Sequence, residues 1–214
     1  SDAIRFPLMA TNAINIAKGK HRLMFGGSFN PIHFGHLICA RAAAEALGYD
    51  QVVLIPSAQP PHKPGAADLA SAPHRLAMAA VAVRHSRLFH INDIELKMEG
   101  PSYTIHTARA LKAGGWGEID WLIGADMVKI LPQWHQPEEL LKEVNFVLLA
   151  RPGWDFDWQA LPKAFRFLRD HLVEAPMIQI SASEIRNRVR EGRSIEYLTP
   201  TAVVEYIEEH RLYR

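Results

Sequence analysis

The 214-residue chain is predicted to fold as a single α/β domain, a doubly wound parallel sheet with helices on both faces. Three observations predict this. Short apolar runs alternate with alanine- and leucine-rich helical stretches from Arg22 onward. The run Gln51-Val-Val-Leu-Ile55 is apolar throughout, as in a strand covered on both faces. No internal repeat, low-complexity tract or linker divides the chain, and its length suits one packed domain.

Each element has its own signal. Residues 1–20 lack clear periodicity and are expected to form a loose extension before a domain spanning 21–214. Arg22 to Phe25 reads as a short buried strand broken by Gly26 and Gly27. Leu37 to Leu47 is helical, with Gly48 as its stop. After the Gln51–Ile55 strand, the prolines of Gln59 to Gly65 exclude regular structure because they lack N–H groups. Pro73 suits a first helical turn, and the helix continues through Val83. Phe89 to Leu96 alternates as a strand does, and Thr104 to Lys112 is a helix closed by Gly114 and Gly115. Ile119–Ile123 and Val144–Ala150 are further strands, and Trp154 to His171 has no clean period. Met177 to Ile180 is expected to be the final strand. Ser181 and Glu184 have capping-box spacing before a helix ending at Arg190, and Pro200 opens a last helix reaching Glu209. The helices from about Ser181 form a small C-terminal subdomain of the one domain.

Composition narrows the function classes. A net charge of +1 argues against a bulk nucleic-acid binder, which would carry a strongly basic face. The single cysteine, Cys39, excludes an internal disulfide framework and a cysteine-rich zinc site, and reads as a buried, inert thiol. No apolar run approaches the roughly 20 residues that span a bilayer, and no signal-peptide pattern opens the sequence. A cytoplasmic enzyme without membrane or nucleic-acid partners is the expectation.

The chemistry is concentrated in Gly26-Gly-Ser-Phe-Asn-Pro-Ile-His33-Phe-Gly-His36, between the first strand and the first helix. Gly26 and Gly27 lack a Cβ, so a polyanion can approach backbone N–H groups closely; Ser28 and Phe29 complete that loop. The helix start offers unsatisfied N–H groups and partial positive charge, which suit phosphate. His33 and His36 are spaced to face one pocket from a helix start, and Gly35 between them leaves room for a nucleotide. Zinc would need three or four ligands, and no cysteine cluster or HExxH helix supplies them, so no protein-bound metal is expected. Nor does this loop have the GxGxxG spacing of dinucleotide folds. Near the other end, Ser181 and Ser183 present hydroxyls at a second helix start, with Arg186 one turn in. A plain capping box with a solvated arginine is the competing reading of those three.

These residues resemble the HxGH signature and the second phosphate motif, ISxTxIR, of the nucleotidyltransferase α/β superfamily, with its Rossmann-like sheet. Ser183 stands where threonine is common, which keeps the hydroxyl. Ile55–Lys63, Gly100–Thr104, Ile123–Asp126 and Leu131–Trp134 narrow the resemblance to the bacterial nicotinate-nucleotide adenylyltransferase family, over about Arg22 to Tyr213. It is least specific between Trp154 and Pro176. The resemblance implies adenylyl transfer from ATP, accompanied by Mg²⁺, to nicotinate mononucleotide, with pyrophosphate released. It implies triphosphate contacts for His33, His36 and Arg186, and pyridine-carboxylate contact for Tyr103 and Thr104. It further implies ring stacking for Trp134, ribose contact for Asp126 and phosphate contact for Lys63. Read without it, Trp134 fits core packing and Lys63 a solvated surface, while Asp126 suits a strand end where such sheets bind ligands. Two alternatives stay open: adenylyl or cytidylyl transfer to another acceptor, such as nicotinamide mononucleotide or phosphopantetheine, and a non-catalytic nucleotide-binding module. His74, His85, His90 and His106 carry no assignment.

Overall fold

The structure, a computed structural model, describes residues 21–61 and 67–214. The expected extension over residues 1–20 and the candidate residue Lys63 lie outside the described residues. The strands are β1 (Arg22–Gly27), β2 (Gln51–Pro56), β3 (Phe89–Ile91), β4 (Asp120–Gly124), β5 (Asn145–Ala150) and β6 (Leu172–Glu174). The helices are α1 (Phe34–Leu47), α2 (Ala72–Val83), α3 (Thr104–Ala113), α4 (Pro137–Glu143), α5 (Ala182–Arg190) and α6 (Thr201–Glu209). Among the described residues the strands form one sheet in the order β3-β2-β1-β4-β5-β6, with parallel pairing throughout.

Successive strand residues point to opposite faces, so each strand feeds two cores. Leu23, Val52, Leu54, Leu122 and Val147 meet buried residues of α1, α2, α5 and α6. Met24, Val53, Ile55, Trp121, Ile123, Phe146 and Leu148 meet those of α3, α4 and the 3-10 turn Lys163–His171. Each such large apolar side chain contributes about 1.5–3 kcal/mol by leaving water. Helix α1 buries Ala40, Ala43, Ala44 and Leu47, a stripe at helical spacing whose small residues let the helix lie close to the sheet. Gly48 ends it at φ 73°, in the left-handed region that favours glycine. Ile185, Val203, Val204 and Ile207 of the two C-terminal helices belong to the same buried cluster as Leu23 and Val52.

The first strand runs on through Gly26 and Gly27, and three boundaries differ more widely from expectation. The third strand ends at Ile91, because the Asn92 side chain accepts the Ile94 N–H at 2.9 Å and turns the chain into a 3-10 segment, Ile94–Lys97. The last strand is Leu172–Glu174, not Met177–Ile180. Ala175 still donates to the Ala150 carbonyl at 2.7 Å, but Pro176 has no N–H to continue the ladder, and Met177 is 70% exposed. Helix α1 begins at Phe34 instead of Leu37, which puts His36 inside its first turn.

Candidate active site

The strand order reverses between β1 and β4, where a doubly wound sheet opens a crevice beyond its carboxyl ends. β1 and β2 run in register from Arg22 to Gly27, whereas β1 and β4 are registered at Leu23 with Asp120 and Met24 with Trp121. The strands part beyond that point, and a cavity of about 550 Å³ opens there. Its wall includes Gly26, Gly27, Ser28 and Phe29 from the first loop, His36 from α1, and Tyr103 and Thr104 from the start of α3. Gly124, Trp134 and His135 line it from the β4 side.

His33 is the N-cap of α1, in extended backbone at φ −150°, and is 5% exposed. The two histidines form a reciprocal cap. His33 N–H donates to His36 Nδ1 at 3.2 Å, and His36 N–H donates to His33 Nδ1 at 3.4 Å. The rings stack with centroids 3.7 Å apart. An Nδ1 that accepts a backbone N–H is unprotonated, so in the neutral ring the hydrogen sits on Nε2. The fold thus selects the tautomer that presents Nε2–H as a donor. Burial lowers the His33 pKa to about 4, so this ring is neutral at physiological pH. His36 is held edge-on by Phe29, with centroids 5.3 Å apart.

The glycines of this loop are demanded by packing. A Cβ on Gly26 would lie 2.5 Å from the Trp121 ring, and one on Gly27 would lie 3.1 Å from the Phe29 ring. A Cβ on Gly35 would lie 2.9 Å from His33 Nδ1 and 3.2 Å from the carbonyl oxygen of Ile180. The Cβ position beside Gly35 is therefore bounded by His33 and by the Ile180 carbonyl. It is also where the start of α5 docks against the start of α1.

Ser181 caps α5 by accepting the Glu184 N–H at 3.2 Å, and its hydroxyl lies 3.2 Å from that of Ser183. Arg186 is 12% exposed and is not a solvated arginine. Its Nε donates to Asp68 Oδ2 at 2.8 Å, its Nη2 pairs with the same oxygen, and its Nη1 donates to the Asn30 carbonyl at 2.8 Å. The Arg186 hydrogen bond holds the Asp68 carboxyl below the usual carboxylate range. Arg186 thus joins the histidine loop through Asn30, although it lies outside the wall of the cavity that includes His36.

At the other end of the cavity, Tyr103 is the N-cap residue of α3 and no side chain caps that helix. Tyr103 stacks on His135 with centroids 4.2 Å apart, and Trp134 sits edge-on to Phe146. Asp126 stands apart from the cavity wall, 57% exposed. It accepts from Arg151 at 3.1 Å and from Trp154 Nε1 at 2.9 Å.

Sequence reasoning missed four residues that build this site. Arg75 is 1% exposed and donates to the carbonyls of Ala70, Ser28 and Ala58 at 2.8, 2.8 and 3.1 Å. Glu95 lines the cavity and is 5% exposed, with Oε1 accepting from Thr107 at 2.7 Å. Burial raises the Glu95 carboxyl, and the Thr107 and Ser102 hydroxyls act in the opposite direction. Ser102 accepts the N–H groups of Ala58 and Gln59 at 2.9 and 3.1 Å. Asn30 bonds Asp68, Ala70 and Tyr213. Arg75 left one signal, a charge among Met78 and Ala79 on the buried face of an alanine-rich helix. Asn30 and Ser102 fall inside the quoted motifs but carried no role of their own, because their partners are distant in sequence, and Glu95 left no signal.

Known proteins share this architecture. The cytidylyltransferase-like family model matches residues 24–188. A relative from Roseiflexus sp. (strain RS-1), named "Probable nicotinate-nucleotide adenylyltransferase", is 40% identical over 193 residues, covering 89% of this chain and 96% of its own. One of the same name from Geobacillus kaustophilus (strain HTA426) is 42% identical over 191 residues, covering 89% and 84%. The solved structure of Plasmodium falciparum nicotinic acid mononucleotide adenylyltransferase complexed with NaAD has the same fold, with a TM-score of 0.73 at 19% identity. That match covers 91% of this chain and 98% of the other. The chain belongs to the cytidylyltransferase-like family and, within it, to the nicotinate-nucleotide adenylyltransferases.

Proposed function

We propose that this protein transfers the adenylyl group of ATP to nicotinate mononucleotide, forming deamido-NAD and releasing pyrophosphate. One observation carries the reading. A single cavity at the switch point is walled at one side by His36 in the first turn of α1, and at the other by Tyr103, Thr104 and Trp134. The shared name of the relatives agrees with it.

The reaction is in-line attack by a 5′-phosphate oxygen of the mononucleotide on the α-phosphorus of ATP, as the bond to pyrophosphate breaks. The nucleophile is already anionic at neutral pH, so no base has to be generated. What remains for the protein is alignment and stabilisation of charge. The histidine cap supplies Nε2–H donors whose tautomer is set by the main chain, for phosphate oxygens. His33 stays neutral and fixes the ring of His36, and Arg186 meets the departing pyrophosphate from the start of α5. Among the described residues no group of three His, Cys, Asp or Glu gathers to cage a metal ion. Mg²⁺ would enter with ATP and supply neutralisation of the phosphate charge.

The acceptor's base is selected at α3. Its first N–H groups lack a side-chain cap and carry the positive end of the helix dipole, which favours a pyridine carboxylate over the neutral amide. Trp134 lines the same cavity. Pyrophosphate release by the purified protein should be measured with ATP or CTP and a panel of acceptors. ATP with nicotinate mononucleotide is expected to give the highest kcat/KM, about tenfold or more above nicotinamide mononucleotide. Equal use of both pyridine forms would remove the selecting role of α3, and release with phosphopantetheine alone would overturn the assignment.

A further inference from the structure

Arg186 is embedded in a closed ring of hydrogen bonds. Nε and Nη2 converge on Asp68 Oδ2, and Nη1 donates to the main-chain oxygen of Asn30. The Asn30 side chain then closes the ring, donating from Nδ2 to the Asp68 carbonyl at 2.9 Å. Its Oδ1 accepts the Ala70 N–H at 3.0 Å and the Tyr213 hydroxyl at 2.7 Å. The carboxylate that faces Arg186 is therefore carried on backbone that Asn30 pins immediately after it, at the Asp68 carbonyl and the Ala70 N–H. It is a fixed counter-charge, not a swinging one.

A guanidinium carries five N–H donors in a rigid fork. Asp68 takes the edge made by Nε and Nη2, and Asn30 takes one donor of Nη1. One N–H on each terminal nitrogen remains for another acceptor. Buried to 12% exposure beside the histidine loop, the side chain has little freedom to present that edge in any other direction. We propose that Asp68 is the positioning residue for Arg186, holding the guanidinium so that its unspent edge meets the pyrophosphate as it leaves. This rests on the reading of Arg186 as the arginine that contacts the triphosphate. It assigns Asp68 no contact with substrate.

The opposite role, a carboxylate competing with the triphosphate for Arg186, makes a different prediction, so kinetics separates the two. Steady-state pyrophosphate release should be measured on the full chain with Asp68→Ala, Asp68→Asn and Arg186→Ala. Positioning predicts that Asp68→Ala lowers kcat by about tenfold or more. KM for ATP should stay unchanged or fall, because removing a negative charge does not weaken phosphate binding. Asp68→Asn should restore kcat nearly to wild type, since its Oδ1 can accept the same two N–H groups. Wild-type kcat in Asp68→Ala, equal losses in the Ala and Asn variants, or a lower KM with undiminished kcat in both would each overturn the proposal. If Asp68→Ala does not fold, Asp68→Ser, too short to reach the guanidinium, takes its place under the same criteria. Wild-type kcat in Arg186→Ala would instead show that the arginine itself was misassigned, whatever Asp68 does.

Discussion

A histidine buried as a neutral ring makes stability depend on pH in a known direction. Unfolded, His33 takes up a proton near 6.5; folded, it does so near 4. Between those values the unfolded chain binds more protons, so this contribution to stability is complete above 6.5 and declines as pH falls toward 4. From pH 7 to pH 5 the decline should be about 2 kcal/mol. Urea unfolding of wild type and His33→Gln at both pH values isolates it. The variant should lack this part of the acid sensitivity, and identical slopes would mean that His33 is not the group responsible. The same residue shows what sequence conveys at this scale. The spacing of His33 and His36 named the pair, but not that each ring caps the other's backbone. Capping residues are ordinarily Ser, Thr, Asp or Asn, so a histidine box gives no cue of its own. Arg75 and Glu95 were harder still, because a buried charge is explained by partners far along the chain.

Two helix N-termini, α1 and α5, meet where Gly35 faces the Ile180 carbonyl. Gly35→Ala tests that junction. Its methyl carbon would sit 2.9 Å from His33 Nδ1 with backbone on its other side, so the cap must shift to admit it. Thermal or urea unfolding should show a loss of about 1–3 kcal/mol. Turnover should fall by about tenfold or more as the imidazoles are displaced. Unchanged turnover in a destabilised protein would confine Gly35 to packing. Elements with strong local chemistry were legible, including α1 ended by Gly48, α2 opened by Pro73 and α5 capped by Ser181. β3 was read too long and β6 was misplaced because both are short edge strands. Their ends are set by an Asn92 side chain and by Pro176, and periodicity does not register either. Helix α4 escaped notice because Pro137–Glu143 has too few residues to display a buried stripe, with Leu140 its buried residue.

Across the molecule, Arg75 joins segments that no shared element connects. Its guanidinium holds the carbonyls of Ser28 after β1, Ala58 after β2 and Ala70 before α2, so one side chain keeps three rims of the crevice together. Arg75→Met would bury those carbonyls without a donor. Urea unfolding should show a loss of about 3 kcal/mol or more. Hydrogen exchange should rise first in the segments around Ser28 and Ala58. A loss under about 0.5 kcal/mol, the scale of ordinary surface changes, would mean that water replaces the guanidinium at little cost.

The short registry between β1 and β4 has a mechanical meaning. β3-β2-β1 and β4-β5-β6 are each laced by continuous ladders, and the join between them runs through Leu23, Met24, Asp120 and Trp121. A molecule seated beyond that seam bridges the two halves of the sheet where they are joined by the fewest paired residues, and so touches both at once.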